Sequence, residues 1–472
     1  MFIGREREMQ SLRGLRKRRT SCLVVCRGRR RIGKRTLIER FGEGKSFFEF
    51  YGLAPREGIT NEDQLRHFGE LMGTAFGTPA MRFDHWHEAL SSLAGLTSDR
   101  EAIILLDEIS WMACKDKDFA GKLKGVWDTK FKHNRKLILI LCGSVTSWID
   151  DNILNDKGFM GRVSLTVTLD ELPIHHANRF WRDAPQISTT EKLRMLCVTG
   201  GVPRYLEEIR PDQTAEQNIK RMCFSPEGLL FSEFDKIFRD IFARRSATFK
   251  RIVEALSGPS LEQGELCRKL GVKPTGGLSD ALSVLVTSGM VARDRVWDTS
   301  GRKTGLSKYR IRDNYLRFYL RYIDGQKEKI EQGLFRDVHL ENLVNWEATL
   351  AYQFENLVLN NLLAVIRRLD VAPESILSAS PYFQHKTRRH EACQIDLLIH
   401  TKNTLYVCEI KFRKRIGAGV GDDVQGKIAK LTGRTKYSVR PVLIYHGELA
   451  PSIGRSDLFC KLIPAADLLA KA

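Results

Sequence analysis

Two groups of residues in this sequence have the types and spacing to do chemistry. The first starts at Gly28, where GRRRIGKRT fits G-x-x-x-x-G-K at Gly28, Gly33 and Lys34. Glycines there let the backbone N–H groups of Gly28, Arg29, Arg30, Arg31, Ile32 and Gly33 curl round phosphate oxygens. The lysine reaches the outer phosphates of a nucleoside triphosphate. The pattern normally closes on Ser or Thr, whose hydroxyl meets Mg²⁺. Here Arg35 stands in that place, and Thr36 comes one position later. One residue along a helix turns a side chain by about 100°, so Thr36 is expected to face away from the ion. Either Arg35 supplies charge in place of a metal contact, or hydrolysis is weak. Nucleotide binding should survive more easily than turnover.

An acidic pair, Asp107–Glu108, ends the apolar run AIILLDE. Following a phosphate loop, this is the Walker B arrangement. Asp107 would hold Mg²⁺ through water and Glu108 would polarise the attacking water; the alternative is a pair that caps the next helix. Ser144 closes the run LILILCGS. It would sense the γ-phosphate by a hydrogen bond, or else sit in a plain strand-end turn. Arg162, in GFMGR, is either a γ-phosphate contact or arginine finger, worth about 10³–10⁵ in rate, or a surface arginine.

The second group lies towards the C-terminus. Asp396 sits in QIDLLIH, and Glu409 and Lys411 in the next apolar run, TLYVCEIKF. Residues two apart on a strand face the same way, so Glu409 and Lys411 project together. The short turn HTKNT makes a hairpin and sets Asp396 opposite them. Two carboxylates can hold Mg²⁺ or Mn²⁺, and a lysine can orient or deprotonate water beside a phosphodiester. A basic run, KFRKR at 411–415, begins at that lysine. The alternatives are a solvated strand end and a fold that binds without cutting. An ExK pair can also be a plain salt bridge, although burying such charges costs several kcal/mol.

The positioning elements follow from the apolar pattern. CLVVCR, AIILLD and LILILC read as buried strands alternating with helices, for example Thr36 to Phe41 and Lys122 to Phe131. That alternation implies a parallel sheet covered on both faces. Four segments are expected: a P-loop core at 1–184, a helical lid at 185–236, a winged helix at 237–323, and an α/β unit at 334–472. DGQKEKIEQG (324–333) reads as a linker. The winged helix rests on three helical patterns followed by a hairpin, VARDRVW and KYRIRD. Its third helix, Leu278 to Ser288, has no Lys or Arg, which argues against base reading by arginine. Arg293, Arg295, Arg302, Lys303, Lys308 and Arg310 leave the wing either a phosphate binder or a packing module.

A chain of 472 residues is too long for one core. The net charge of +19 favours a polyanion (nucleic acid, an acidic protein or an anionic membrane) over a plain solubility surface, and beside the site chemistry above the expected partner is nucleic acid, DNA first. Ten cysteines without a CxxC pair fit a reducing compartment. The charged start MFIGREREMQ is no signal peptide. No apolar stretch approaches about 18 residues, so no membrane span is expected and a cytoplasmic location follows.

FIGRERE (2–8), GRRRIGK (28–34), LLDE (105–108), CGS (142–144) and GGVPRYLEE (200–208) occur in that order. The chain thereby resembles the archaeal-type AAA+ and STAND-like P-loop ATPases, which often carry a winged helix and a C-terminal DUF234 nuclease-like domain. The resemblance covers essentially the whole chain. It implies ATP and Mg²⁺ as cofactors and places Ile3, Gly4 and Arg5 near the adenine. Gly200, Gly201 and Pro203 would form the turn where a lid meets nucleotide. Such proteins often need a neighbour's arginine, so a homo-oligomer is one expected partner. The terminal segment resembles PD-(D/E)xK nucleases of restriction-endonuclease-like α/β fold. That likeness adds Glu355, in FENLV, as a first acidic metal ligand beside Asp396 and Glu409. It also adds Gln425, in VQGKI, as a polar helix position. The usual proline before the Asp is absent; Gln394 and Ile395 stand there. ATP would gate the nuclease-like site; a non-cleaving nucleotide switch or scaffold is the rival reading.

Overall fold

The computed structural model describes residues 2–144, 146–242, 246–274, 276–298, 301–388, 390–431 and 436–470. They form two compact units. The first comprises Met1–Glu171 with Lys236–Ser246 and Thr287–Gly289, and the second comprises Leu172–Asp235, Ala247–Val286 and Met290–Ala472.

The first unit is built on a parallel sheet of β1 (Cys22–Arg27), β2 (Phe47–Tyr51), β3 (Ala102–Asp107), β4 (Leu137–Gly143) and β5 (Val163–Thr168), in the order β2-β3-β4-β1-β5. β1, β3 and β4 are the three apolar runs, and they are buried almost throughout. Strands covered on both faces need continuous apolar sequence. One face packs Leu23, Val25, Ile104 and Leu139 against helices Asn61–Phe76, Trp86–Leu96 and Phe119–Thr129. The other packs Val24, Ile103, Leu105 and Ile140 against Leu37, Ile38 and Phe41 of helix Lys34–Gly42 and against Met9, Leu12 and Leu15 of helix Glu6–Leu15. The expected helix at Lys122 to Phe131 starts earlier and closes at Thr129, with a 3-10 turn at Phe131–His133.

Register decides what meets at the sheet edge. Arg27 pairs with Gly143, and Leu106 with Leu141. The carboxyl ends of β1, β3 and β4 therefore lie level, and β4 separates the other two.

In the second unit, Thr189–Thr199, Pro203–Leu206 and Ala215–Cys223 are helices, in keeping with an all-helical stretch. Helix Ser246–Ala255, β6 (Leu261–Glu262), helices Gln263–Leu270 and Gly276–Thr287, β7 (Val291–Trp297) and β8 (Lys303–Ile311) follow. The three strands form an antiparallel sheet in the order β6-β8-β7. The stretch at 324–333 is more than a linker. It forms a 3-10 turn, Asp324–Gln326, and helix Lys327–Glu331, with Ile330 fully buried and Lys327 2.5 Å from Asp235. Before it lies helix Asn314–Tyr322, whose Tyr315, Phe318 and Tyr319 are core.

The last sheet holds β9 (Ile376–Gln384), β10 (Cys393–Thr401), β11 (Thr404–Ile416), β12 (Ser438–Leu449) and β13 (Lys461–Pro464), in the order β13-β12-β11-β10-β9. β9, β10 and β11 run antiparallel; β11, β12 and β13 run parallel. Helices Trp346–Asn360 and Gly419–Lys430 pack on β11. Among the described residues no helix is long and apolar enough to cross a membrane.

Candidate functional site

The glycine-rich loop leaves β1 at Gly28 and enters helix Lys34–Gly42. Positive φ at Gly28 (149°), Arg31 (68°) and Gly33 (85°) curls it back on itself. Lys34 is buried, and its Nζ donates to the carbonyl oxygens of Gly28 (2.9 Å) and Arg29 (3.0 Å). The ammonium so sits inside the curl, where a phosphate would find it. Arg29 pairs with Glu171 at 3.4 Å. Arg5, itself at φ 66°, donates to the carbonyls of Ile32 (3.1 Å) and Asp170 (2.6 Å). The segment of Ile3, Gly4 and Arg5 is thereby fastened to the loop. Burial lowers the Arg5 guanidinium from its usual value, and Glu8 and Asp170 oppose that.

A Cβ at Gly28 would stand 2.4 Å from the Leu169 carbonyl oxygen. Gly28→Ala is therefore expected to destabilise the fold by about 1–3 kcal/mol, as overpacking does, and to weaken nucleotide binding. Thermal unfolding and a binding titration check both.

Level with the loop, Asp107 Oδ1 accepts from Glu108 N at 3.0 Å. Glu108 adopts φ 48°, a strained value for a side-chain-bearing residue. Its carboxylate accepts from Ser144 N at 3.2 Å and from Ser144 Oγ at 2.9 Å. Glu108 and Ser144 are thus bonded to each other. Arg35 donates to Glu39 (2.8 Å) and Glu49 (2.9 Å), and Thr36 is exposed.

Arg162 is not brought to the loop. It precedes Val163, which pairs with Leu23 near the start of β1, whereas Gly28 follows its end. Its guanidinium is held by both oxygens of Asp128 at 2.8 Å. Those hydrogen bonds, with help from Lys124, bring the Asp128 carboxyl down to about 2. This placement sets Arg162 at the opposite end of β5 from the glycine-rich loop. Gly200, Gly201 and Pro203 lie in the second unit, where Leu172 N donates to Gly201 O at 2.7 Å and Pro203 opens helix Pro203–Leu206.

The acid–lysine group assembles at the β10–β11 hairpin. Leu397 pairs with Cys408, which sets Asp396 beside Glu409. Asp396 Oδ2 accepts from Ile410 N at 2.9 Å. Glu409 is buried, and its two oxygens take Lys411 Nζ and Lys427 Nζ, each at 2.5 Å. Lys427 also stands 3.7 Å from Asp396 Oδ1. Glu355, on helix Trp346–Asn360, joins the group electrostatically. Burial and then the Asp396 charge push its carboxyl up to about 7, while Arg310 and Arg317 oppose them. Burial and Glu409 raise the Asp396 carboxyl as well. A cleft of 680 Å³ is lined by Glu355, Asp396 and Lys411 together with Arg413, Lys414 and Arg415. Among the described residues, no three His, Cys, Asp or Glu side chains stand close enough to enclose an ion by themselves.

The helix after β11 contributes Lys427, not Gln425. Gln425 is exposed. Val420, Val424, Lys427, Ile428 and Leu431 share one stripe of that helix, and its apolar members pack in the core. The 3.6-residue period alone would have picked out Lys427. Lys427→Ala is expected to cost about 1–3 kcal/mol by unbalancing a buried carboxylate, and Glu409→Gln added to it should recover most of the loss. Gln425→Ala should stay within about 0.5 kcal/mol of wild type. Denaturant unfolding of the three variants tests this.

Of the basic wing residues, Lys308 and Arg310 reach the terminal segment, while Arg293, Arg295, Arg302 and Lys303 stay exposed. Arg310 pairs with Asp294 at 2.8 Å and donates to Asn356 of helix Trp346–Asn360. Lys308 lies 4.4 Å over the Phe383 ring of β9. Arg295 O accepts from Ser380 Oγ at 3.3 Å.

A parallel sheet with a phosphate loop after β1, an acidic pair after β3 and β4 between them is the P-loop α/β fold of Walker-type ATPases. The uncharacterized protein MJECL04 of Methanocaldococcus jannaschii is 25% identical to this chain over 419 residues, 88% of each. Among solved structures, the Walker-type ATPase PABY2304 of Pyrococcus abyssi superposes with a TM-score of 0.51 at 18% identity, over 68% of this chain and 96% of that one. The Aeropyrum pernix ORC2 protein, in its ADPNP–ADP complexes, gives 0.40 at 14% identity over 71% and 96%. No family model matches the chain.

Proposed function

We propose that this chain is a cytoplasmic AAA+ ATPase that binds ATP and acts on nucleic acid, chiefly DNA, with the nucleotide state gating a C-terminal nuclease-like site. The observation that carries the nucleotide half is the convergence of Gly28–Lys34, Asp107, Glu108 and Ser144 at one sheet edge. Lys34 and the loop N–H groups hold the phosphates. Glu108 orients water once Ser144 turns from it to the γ-phosphate.

The nuclease half rests on the cleft that joins Glu355, Asp396 and Lys411 to a basic rim. Asp396 and Glu409 offer oxygen donors alone, which suits Mg²⁺ or Mn²⁺. Lys427 bridges the two carboxylates, in keeping with a cation between them. When bound there, the ion supplies Lewis acidity at a phosphoryl oxygen. Lys411 orients or deprotonates water. Glu355, with its raised carboxyl, holds a proton. Arg413, Lys414 and Arg415 draw in the backbone phosphates.

We read the segment from helix Ser246–Ala255 to β8 as a winged helix whose wing is a packing module. Its Arg310 touches the helix that carries Glu355. A homo-oligomer would supply a partner's arginine. A second reading, a non-cleaving nucleotide switch or scaffold, is favoured by one observation: two lysines already neutralise Glu409.

The experiment is cleavage of plasmid and single-stranded DNA with Mg²⁺ or Mn²⁺, with and without ATP, by wild type, Asp396→Ala and Lys34→Ala. Cutting that vanishes with Asp396→Ala supports the first reading. ATP binding without any cutting supports the second.

A further inference from the structure

The geometry points to a nucleotide site in which Arg35 takes the part of the divalent ion, so that nucleoside di- and triphosphates bind without Mg²⁺. This rests on Gly28–Lys34 being the nucleotide loop. Arg35 follows Lys34 in the first turn of its helix and is held at two points, by Glu39 at 2.8 Å and by Glu49 at 2.9 Å. Glu49 pairs with Leu105, and Leu105 is two residues before Asp107. Laterally paired residues share a face, as do residues two apart on a strand. Glu49 and Asp107 therefore project to the same side of the sheet. It is the side covered by helix Lys34–Gly42, since Leu105 packs with Leu37, Ile38 and Phe41. A guanidinium thus stands over the face from which an ion's carboxylate ligands would come. Burial pushes the Glu49 carboxyl above its usual range, Arg35 opposes that, and Asp107 and Glu39 add to it.

Mg²⁺ needs a near-octahedral shell of oxygens at close range. Here the position that should offer a hydroxyl offers a cation, and Thr36 is exposed on another side of the helix. The donor set does not fit the ion. It fits an anion: the guanidinium keeps its charge at any working pH, and its N–H fork matches phosphate oxygens. The bonds to Glu39 and Glu49 leave N–H donors to spare, because the group has five in all. Removing the guanidinium would leave two carboxylates on one face and, with threonine in its place, a hydroxyl. That is an oxygen set for a divalent ion.

The test is calorimetric titration of the full chain with ATP and ADP, once in Mg²⁺ and once in EDTA. Wild type should bind with Kd values within about threefold of each other in the two buffers. Arg35→Thr should lose about tenfold or more in EDTA, the worth of one hydrogen bond from a charged group, and should gain a preference for Mg²⁺ of similar size. Arg35→Lys should bind more weakly than wild type yet stay indifferent to the ion. Arg35 is exposed, so circular dichroism should show all three folded. Wild-type binding that weakens tenfold or more in EDTA overturns the inference while leaving the nucleotide loop intact. Absence of binding in both buffers overturns the loop reading, and the inference with it.

Discussion

Lys34→Ala is expected to abolish ATP binding at any practical concentration. Lys34 Nζ lies within the curl of the loop, on the carbonyls of Gly28 and Arg29. Those are two charge-assisted contacts that an incoming phosphate would replace with stronger ones. Hydrogen bonds to charged groups contribute about 1.5–3 kcal/mol each. Loss of two such bonds to phosphate weakens binding by about 10²–10⁴-fold. Thermal unfolding with and without ATP reads this directly. Ligand at about a hundred times Kd stabilises wild type by about 2.7 kcal/mol. The variant should show no shift while unfolding as a single folded species without nucleotide. A full ATP-induced shift in Lys34→Ala would mean that the nucleotide binds elsewhere. Lys34→Arg separates charge from shape, since the longer planar group cannot fit the same curl.

The parts legible in the sequence were those under a constraint on every residue. β1, β3 and β4 are buried on both faces, so each had to be a continuous apolar run. Their parallel order, with a glycine loop after one and an acidic pair after another, made the placement of Lys34, Asp107 and Glu108 along one sheet edge foreseeable. β2 and β5 were not expected because they are edge strands. FFEFY and VSLTVT keep several positions half-exposed, and the apolar signal fades. β9, read as ILSASPYFQ, mixes serine, alanine and proline with aromatic residues and has no clean alternation. The supposed linker at 324–333 misled through composition. Its charged residues hide one buried side chain, Ile330, and what fixes the segment is a distant partner, Asp235. Arg162 shows the opposite limit. The motif GFMGR is compatible with a phosphate contact, but only strand register puts it at the far end of β5. Lys427 was legible in principle, since it falls on the stripe of Val420, Val424, Ile428 and Leu431. The likeness to PD-(D/E)xK nucleases pointed to Gln425 instead.

Asp396→Asn is expected to remove phosphodiester cleavage, by about 10³-fold or more for a carboxylate that anchors the metal's several kcal/mol of transition-state stabilisation, and to leave the protein at least as stable as wild type. The second half of this expectation separates a working site from a structural ion pair. Burial and the neighbouring Glu409 raise the Asp396 carboxyl, despite Lys427 and the hydrogen bond from Ile410 N. A folded-state value above the unfolded one means that the ionised form is disfavoured in the native state. Stability is then lost as pH rises through the raised value, because the native protein holds the proton more tightly. A neutral amide avoids that loss and still accepts from Ile410 N. A gain of about 0.5–2 kcal/mol near pH 7 is the usual size when a strained functional group is relieved. The gain should fade below the pKa of a free aspartate, where both states are protonated. If Asp396 only paired with Lys427, the same change would destabilise the fold and its cost would grow with pH. Paired measurements of cleavage and of unfolding across pH 4–8 therefore distinguish the two roles even when the cleavage signal is small. Lys427 gives a further separation: it sits on the same carboxylates, so its removal should lower stability, whereas removal of the Asp396 charge should raise it. Opposite signs from two partners of one ion pair are what a site built to receive a second cation predicts.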